Sequence, residues 1–255
     1  MTATEGNNAV FSANMTVRCY EQDLKGRLRP AEVFNWFQEI ATNQCRVHHV
    51  ALEDLLPRGY TWVIHRYKIA VAKMPVYGQE CRISTWAHPK RDLISIREFS
   101  LESLAGESLV TATTAWALLD LNTNRPSKLS PVMSFPVCET RALREDLKPI
   151  KPPEGAPLLK TTETAATACT LDKNNHVNNS VYITWAYDNL YPEIASEYRL
   201  KELEINYKKQ TFLGQAVECR SFKEAESRYF QEIRLKESGE TLALLRSEWR
   251  KENEL

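Results

Sequence analysis

The chain lacks a net charge, since 33 Lys and Arg balance 33 Asp and Glu across 255 residues. A nucleic-acid-binding protein normally carries a basic excess, so no nucleic-acid partner is expected. No apolar run approaches the ~18 residues that read as a membrane-spanning helix. There is no CxxC and no Cys/His grouping at metal-ligand spacing, and His48 and His49 have no further ligands nearby. The six cysteines (Cys19, Cys45, Cys81, Cys138, Cys169, Cys219) are scattered, as are the reduced thiols of a cytoplasmic protein. No metal and no cofactor are expected. The opening MTATEGNNAVFSANMTV lacks the basic and apolar regions of a signal peptide, which again favours a cytoplasmic location.

What is present is ordinary globular composition, 43% hydrophobic against 26% charged, enough for a core in one large domain or two smaller ones. Prolines punctuate the middle: Pro126, Pro131, Pro136, Pro149, Pro152, Pro153 and Pro157 fall within one short stretch. That density opposes helix interiors and central strands alike. It predicts an extended linker over 126–160 with at most a short helix near 139–147. The linker divides the chain into domains 1–125 and 161–255.

The flanking halves align with each other. Asp23-Leu24-Lys25-Gly26-Arg27-Leu28 matches Asp172-Lys173-Asn174-Asn175-His176-Val177 at an offset of 149 residues, and Trp36 meets Trp185 at the same offset. Gly78 then meets Gly214, and Trp116 meets Trp249, with the offset shrinking as loops shorten. Such ordered self-similarity reads as a duplication. Each half is expected to hold a short strand (15–21; 165–171), then a helix (30–46; 179–195). Four longer strands follow: 61–73, 79–88, 93–103 and 108–121, then 201–210, 215–224, 228–237 and 241–250. A helix against antiparallel strands is an α+β layer arrangement. Two copies within one chain can cover each other as an intrachain pseudo-dimer. Trp62, Trp86 and Trp116 are expected in the core.

Chemistry concentrates in residues 171–190, LDKNNHVNNSVYITWAYDNL, where Asp172, Asn174, His176, Asn178 and Asn179 precede an amphipathic helix. A carboxylate, an amide and an imidazole at alternate positions can act on one carbonyl, and a helix N-terminus offers unpaired N–H donors for a developing oxyanion. Asp172 could attack directly or take a proton from water. His176 and Asn174 would orient the reacting group. Backbone N–H groups near Asn178–Ser180 would polarise the carbonyl, with Asn178 or Asn179 as the helix cap.

The string D-x-N-x-H-V-N-N-x-x-Y, here Asp172 to Tyr182, resembles the active-site segment of hotdog-fold acyl thioesterases. With the duplication, nearly the whole chain from about residue 15 is similar to the acyl-acyl-carrier-protein thioesterases. The segments Arg18-Cys19-Tyr20-Glu21, 59–86 and 115–129 agree. The resemblance implies a tandem (double) hotdog, each half a long helix on a mainly antiparallel sheet. It implies a thioester hydrolase releasing fatty acid from acyl carrier protein (ACP) in fatty acid biosynthesis. Plant members carry Arg-Arg-Glu-Cys in the second half, whereas Gln210 and Thr211 stand at the Glu and Cys positions here. A cysteine nucleophile there is ruled out, and Gln210 can only position water or substrate. The absence of a plastid-type leader favours a bacterial-type member.

Lys25 and Arg27 replace Asn174 and His176 in the first copy, so one catalytic site per chain is expected, in the second half. The first half would hold the acyl chain, with Val33, Phe34, Phe37 and Met74 as lining candidates. An acidic ACP calls for a basic docking patch, for which Arg66, Lys68, Lys208, Lys209 and Arg220 are candidates. The competing readings are an acyl-CoA thioesterase, a 3-hydroxyacyl hydratase or dehydratase, and a non-catalytic acyl-binding protein. Both a monomer with an internal pseudo-dimer and a homodimer fit the sequence.

Overall fold

The computed structural model describes residues 9–89, 93–129, 136–191 and 193–251. The chain divides into two compact units, one of residues up to Arg29 with Asn35–Leu147, the other of Pro30–Phe34 with Lys148 onward. The boundary at 147/148 falls inside the proline-rich stretch, of which residues 130–135 lie outside the described residues.

The first unit contains β1 (Val10–Thr16), β2 (Tyr60–Val71), β3 (Glu80–Ala87), β4 (Ile94–Ser103), β5 (Ser108–Asp120) and the short β6 (Arg125–Ser127). Its sheet runs β1-β3-β4-β5-β2, antiparallel throughout, with β6 added to β5. The long helix α1 (Pro30–Val47) follows β1, and a short helix α2 (Leu52–Leu55) precedes β2. Pro30 sits at the start of α1, where its missing N–H costs nothing. The second unit contains β7 (Leu158–Ala165), α3 (Asn179–Leu190), β8 (Tyr198–Tyr207), β9 (Ala216–Ala225), β10 (Arg228–Leu235) and β11 (Thr241–Lys251). Its order is β8-β11-β10-β9-β7, also antiparallel. Strand for strand this is the wiring of the first unit, with the helix inserted after the first strand in both. The chain is the double hotdog that its duplication implied.

The eight longer strands lie within about three residues of their expected positions. Two local expectations fail. The opening strands of the two units are β1 and β7, one strand-length upstream of the expected 15–21 and 165–171. Those segments turn instead, because Glu21 Oε2 accepts the Arg18 N–H (2.8 Å) and Thr170 Oγ1 accepts the Thr167 N–H (3.0 Å). Helix α3 stops at Leu190 rather than 195: Tyr191 is extended (φ −90°, ψ 142°), as the residue before Pro192 is pushed to be.

The segment 139–147, expected to hold at most a short helix, holds none. That segment is an extended strap whose polar groups are spent on side chains of the first unit's sheet. Val137 bridges Ala87 in parallel, and Trp86 Nε1 donates to the Thr140 carbonyl (2.8 Å). Arg66 donates to the Leu147 carbonyl (3.0 Å), and Lys68 pairs with Glu145 (2.6 Å). At the centre Glu98, with no exposed surface, meets Arg141 at 2.6 Å and accepts bonds from Thr113 Oγ1 and the Ala142 N–H. The Glu98–Arg141 contact is a charge pair rather than an aligned hydrogen bond, and burial pushes the Glu98 carboxyl up. On the opposite face of β4, Arg97 reaches Gln44 of α1 and Phe99 stacks on Phe37 with ring centres 4.7 Å apart. The sheet is thus covered by α1 on one face and by the strap on the other.

In the second unit the helix-facing interior is polar where the first is aromatic. Gln231 occupies the position equivalent to Phe99 and donates to the Ala186 carbonyl (2.8 Å) and to Ser221 Oγ (2.9 Å). Asn189 donates to Thr162 Oγ1 and to the Cys219 carbonyl, and accepts from Ser221. Gln231, Asn189 and Ser221 are nearly fully buried and bonded to one another, which favours one register of the helix on the sheet. Trp86 is buried, whereas Trp62 and Trp116 are only half-buried.

Removing the central strap anchor leaves Arg141 with only its longer contact to the exposed Asp146 (3.6 Å), and a void in a close-packed layer. Glu98→Ala is expected to lower stability by about 3 kcal/mol, read from the urea midpoint of unfolding. Glu98→Gln, which keeps the Thr113 and Ala142 bonds, should cost less.

Candidate active site

The residues singled out between 171 and 180 form one loop that runs into α3. Leu171 and Val177 bridge its neck, the Asp172 N–H donates to the His176 carbonyl (2.8 Å), and the Asn175 N–H returns to the Asp172 carbonyl (3.0 Å). Asn175 supplies the left-handed corner (φ 62°), a conformation Asn tolerates better than most side chains. Inside the ring, Asp172 Oδ1 accepts the N–H of Asn174 (2.8 Å) and of His176 (3.4 Å). One carboxylate oxygen therefore shapes the loop. The other, Oδ2, has no hydrogen-bond partner among the described residues, and the side chain is only partly buried.

The 23–29 loop is built by the same bonds. Asp23 N–H donates to the Arg27 carbonyl (2.7 Å), Gly26 takes the left-handed corner (φ 75°), and Asp23 Oδ1 accepts from Lys25 and Arg27 N–H (2.8 and 2.9 Å). The difference lies on Oδ2. Arg27 grips it through Nε (2.9 Å) and Nη2 (2.8 Å), a closed bidentate pair. His176 at the matching position makes no such contact; its ring instead stands edge-on to Phe212, centres 5.1 Å apart.

Asn178 is the cap of α3: its Oδ1 accepts the Ser180 N–H (3.0 Å) and the Ser180 hydroxyl (3.1 Å). The expectation of several free donors at residues 178–180 narrows accordingly. Asn178 N–H donates to the Thr170 carbonyl (2.9 Å), Ser180 N–H to its cap, and Val181 N–H to the Asn178 carbonyl (3.0 Å). Asn179 N–H is left without an acceptor among the described residues. Of the remaining candidates, the Asn174 side chain is exposed, and Gln210 is exposed in the turn after β8 with no hydrogen bond among the described residues.

Thr211, Tyr207 and Phe212, to which sequence reasoning gave no role in the site, surround it together with Tyr182, the last residue of the motif string. Thr211, fully buried, offers its carbonyl to Val177 N–H (2.9 Å) and its hydroxyl to the Tyr182 hydroxyl (2.8 Å). Tyr207 donates to the Asn179 carbonyl (2.9 Å) and meets Tyr182 edge-on at 5.6 Å. Phe212 backs His176. Burial and, beyond the Thr211 bond that opposes it, the nearby Asp172 charge hold the Tyr182 phenol up at about 12, and burial pushes the Tyr207 phenol well above its ordinary value. Both therefore stay neutral donors at working pH. The available signal was the repeat itself: Val33, Val71 and Pro75 stand where Tyr182, Tyr207 and Thr211 do.

The proposed lining residues are scattered along α1 and the turn after β2. Val33, Phe34 and Phe37 are buried, Phe37 against Phe99, and Met74 is half-buried. Val33 and Phe34 fall within residues 30–34, grouped with the second unit, and Phe37 and Met74 within the first. The basic patch is largely consumed internally: Arg66 and Lys68 hold the strap, Lys68 with a 6% exposed side chain. Lys209 pairs with Glu240 and Arg220 with Glu232 (3.3 Å). Lys208 is exposed and has no partner among the described residues. No three His, Cys, Asp or Glu side chains cluster to hold a metal among the described residues, and no described helix is long and apolar enough to cross a membrane.

The strand order and the paired helices define a double-hotdog protein. Residues 8–134 match the acyl-ACP thioesterase N-terminal domain and residues 160–251 the acyl-ACP thioesterase C-terminal domain, so the chain belongs to the acyl-ACP thioesterase family. It is 24% identical over 264 residues to a chloroplastic acyl-[acyl-carrier-protein] hydrolase of Cuphea viscosissima, covering 95% of this chain and 63% of that protein. It is 26% identical to a chloroplastic palmitoyl-acyl carrier protein thioesterase of Gossypium hirsutum, covering 79% and 52%. The chain thus spans about half to two-thirds of the length of these relatives. Among solved structures, the 12:0-ACP thioesterase of Umbellularia californica superposes with a TM-score of 0.86 at 20% identity, covering 96% of this chain and 98% of that one. An acyl-ACP thioesterase from Bacteroides thetaiotaomicron gives 0.80 at 21%, covering 96% and 100%.

The cap carries a measurable share of the site's order. Asn178→Ala should destabilise the protein by about 1 kcal/mol, seen as a lower midpoint in thermal unfolding followed by circular dichroism.

Proposed function

We propose that the protein hydrolyses the thioester of acyl-ACP, releasing a free fatty acid, with one active site per chain in the 172–179 loop. The observation that carries this reading is the unclaimed Oδ2 of Asp172 in a loop whose twin is closed by Arg27. Family membership and the relatives' names support the substrate class. Acyl carrier protein is then the partner, and the scattered thiols fit a cytoplasmic setting.

The chemistry follows from the groups present. Asp172 Oδ2 either takes a proton from water, whose oxygen adds to the acyl carbon, or adds to that carbon itself. The carbonyl oxygen gains charge and is met by the Asn179 N–H at the helix start. The carbon–sulfur bond then breaks, and the thiolate leaves to be protonated by His176 or water. In the second route, water cleaves the mixed anhydride and regenerates the carboxylate. Gln210 and Asn174, both exposed at the loop's mouth, would contact the thioester arm of the substrate.

Asp172→Asn, which keeps the loop-shaping acceptor and loses the basic oxygen, is expected to lower kcat on acyl-ACP by at least about 10²-fold with the fold intact. His176→Arg should do the same by recreating the Arg27-type closure. A protein that hydrolyses acyl-ACP equally well with Asn at 172 would overturn the reading. A higher kcat/KM on acyl-CoA than on acyl-ACP would keep the chemistry and change the carrier.

A further inference from the structure

The hydroxyls of Tyr182, Thr211 and Tyr207 have no counterpart in the first unit. There the aligned residues are Val33, Pro75 and Val71, none of which can donate or accept through a side chain. The backbone frame around them is nonetheless the same in both copies. Leu28 N–H donates to the Pro75 carbonyl (2.8 Å) just as Val177 N–H donates to the Thr211 carbonyl (2.9 Å). Val76 N–H is held by Gln79 Oε1 (3.1 Å) as Phe212 N–H is by Gln215 Oε1 (2.8 Å). Folding of the loop therefore does not require the hydroxyls. They are an addition confined to the copy whose carboxylate is open.

Their connections show what they add. Thr211 holds the loop through its carbonyl at Val177 and holds α3 through its hydroxyl at Tyr182, one helical turn beyond the cap. Tyr207 reaches the carbonyl of Asn179, the residue whose N–H is unclaimed at the helix start. Tyr182 and Tyr207 touch ring to ring, so the two anchors brace each other. The loop carrying Asp172 and the amide of Asn179 are thereby tied at two points to β8 and the turn after it. A carboxylate and an oxyanion donor must be fixed relative to each other to within a fraction of an ångström for efficient attack.

We propose that Tyr182, Thr211 and Tyr207 are positioning residues that lock the Asp172 loop to the N-terminus of α3. The kinetic part of this proposal rests on the thioesterase reading above; the locking itself does not. It also assigns Thr211 a structural hydroxyl, fully buried and bonded, rather than a nucleophile.

The test compares Thr211→Val, Thr211→Ser and Tyr207→Phe with the parent chain. Amide hydrogen exchange at His176 and Val177 should quicken by at least about 5-fold in Thr211→Val, the scale of one lost hydrogen bond, and recover in Thr211→Ser. Exchange at Arg27 and Leu28, in the first copy, should not change. On acyl-ACP, Thr211→Val and Tyr207→Phe should each lower kcat about 5-fold or more with KM within about 2-fold, and Thr211→Ser should restore it. Tyr182→Phe combined with Thr211→Val should cost no more than Tyr182→Phe alone, because Tyr182→Phe already breaks the bond to Thr211 as well as the longer donation to the Lys209 carbonyl (3.5 Å). Unchanged exchange at His176 and Val177 would sink the locking role. Faster exchange with unchanged kcat, in a background where Asp172→Asn abolishes turnover, would sink its catalytic part and leave the thioesterase reading standing. A parent chain inactive on every acyl thioester would sink that reading, while the exchange data would still decide the lock.

Discussion

A carboxylate with one oxygen turned inward onto two backbone N–H groups is the interaction on which this protein is built, and it is used twice. In each unit an Asp closes a tight loop between the first strand and the long helix, with Asn or Gly in the left-handed corner. The loop sets where the helix begins, and the helix covers the sheet. Because the inward oxygen does the folding, the outward one is free to be spent on something else. In the first unit it is spent on Arg27. In the second it has no hydrogen-bond partner among the described residues.

Divergence between the copies follows the same division of labour. Strand order, loop ring and turn bonds are common to both, since they satisfy backbone groups that any sequence must satisfy. What differs is side-chain chemistry laid over that frame. Behind α1 the first unit packs Phe37, Phe99 and Tyr67 as a stack. Behind α3 the second unit puts Gln231, Asn189 and Ser221, joined by hydrogen bonds to one another and to the Ala186 and Cys219 carbonyls. A satisfied polar layer contributes less to stability than an aromatic one, but it permits only one registration of helix on sheet. That trade suits the unit whose helix start must be placed accurately.

The duplication, the eight longer strands and the turn at 172–179 were legible because each is written in local pattern: alternation, a repeated motif, turn residues at fixed offsets. What was missed shares a different cause. The opening strands were displaced because apolar content at 15–21 and 165–171 masked side-chain capping by Glu21 and Thr170, which only a folded turn reveals. The strap at 139–147 has helix-favouring residues, yet Arg141 and Glu145 are worth more paired with Glu98 and Lys68 on a distant sheet. Lys68 read as a surface cation for the same reason. At the site, the Asp, Asn and His could be read from one short string, but Thr211 and Tyr207 lie on β8 and the turn after it, and only the fold brings their hydroxyls to α3.

The persistence of Asp23 shows how the catalytic candidate should be weighed. Asp23 has its second oxygen sealed by Arg27, so chemistry cannot explain its presence, and loop architecture can. An Asp at position 172 is therefore to be expected whether or not the protein is an enzyme, and its identity alone is weak support for catalysis. What separates the two copies is the group standing over Oδ2, a guanidinium in one and none in the other, together with hydroxyls added only around the open one. Alanine at 172 would remove the loop's acceptor and the reactive oxygen together, whereas asparagine removes only the second. The functional claim rests on that distinction between the two oxygens of a single side chain.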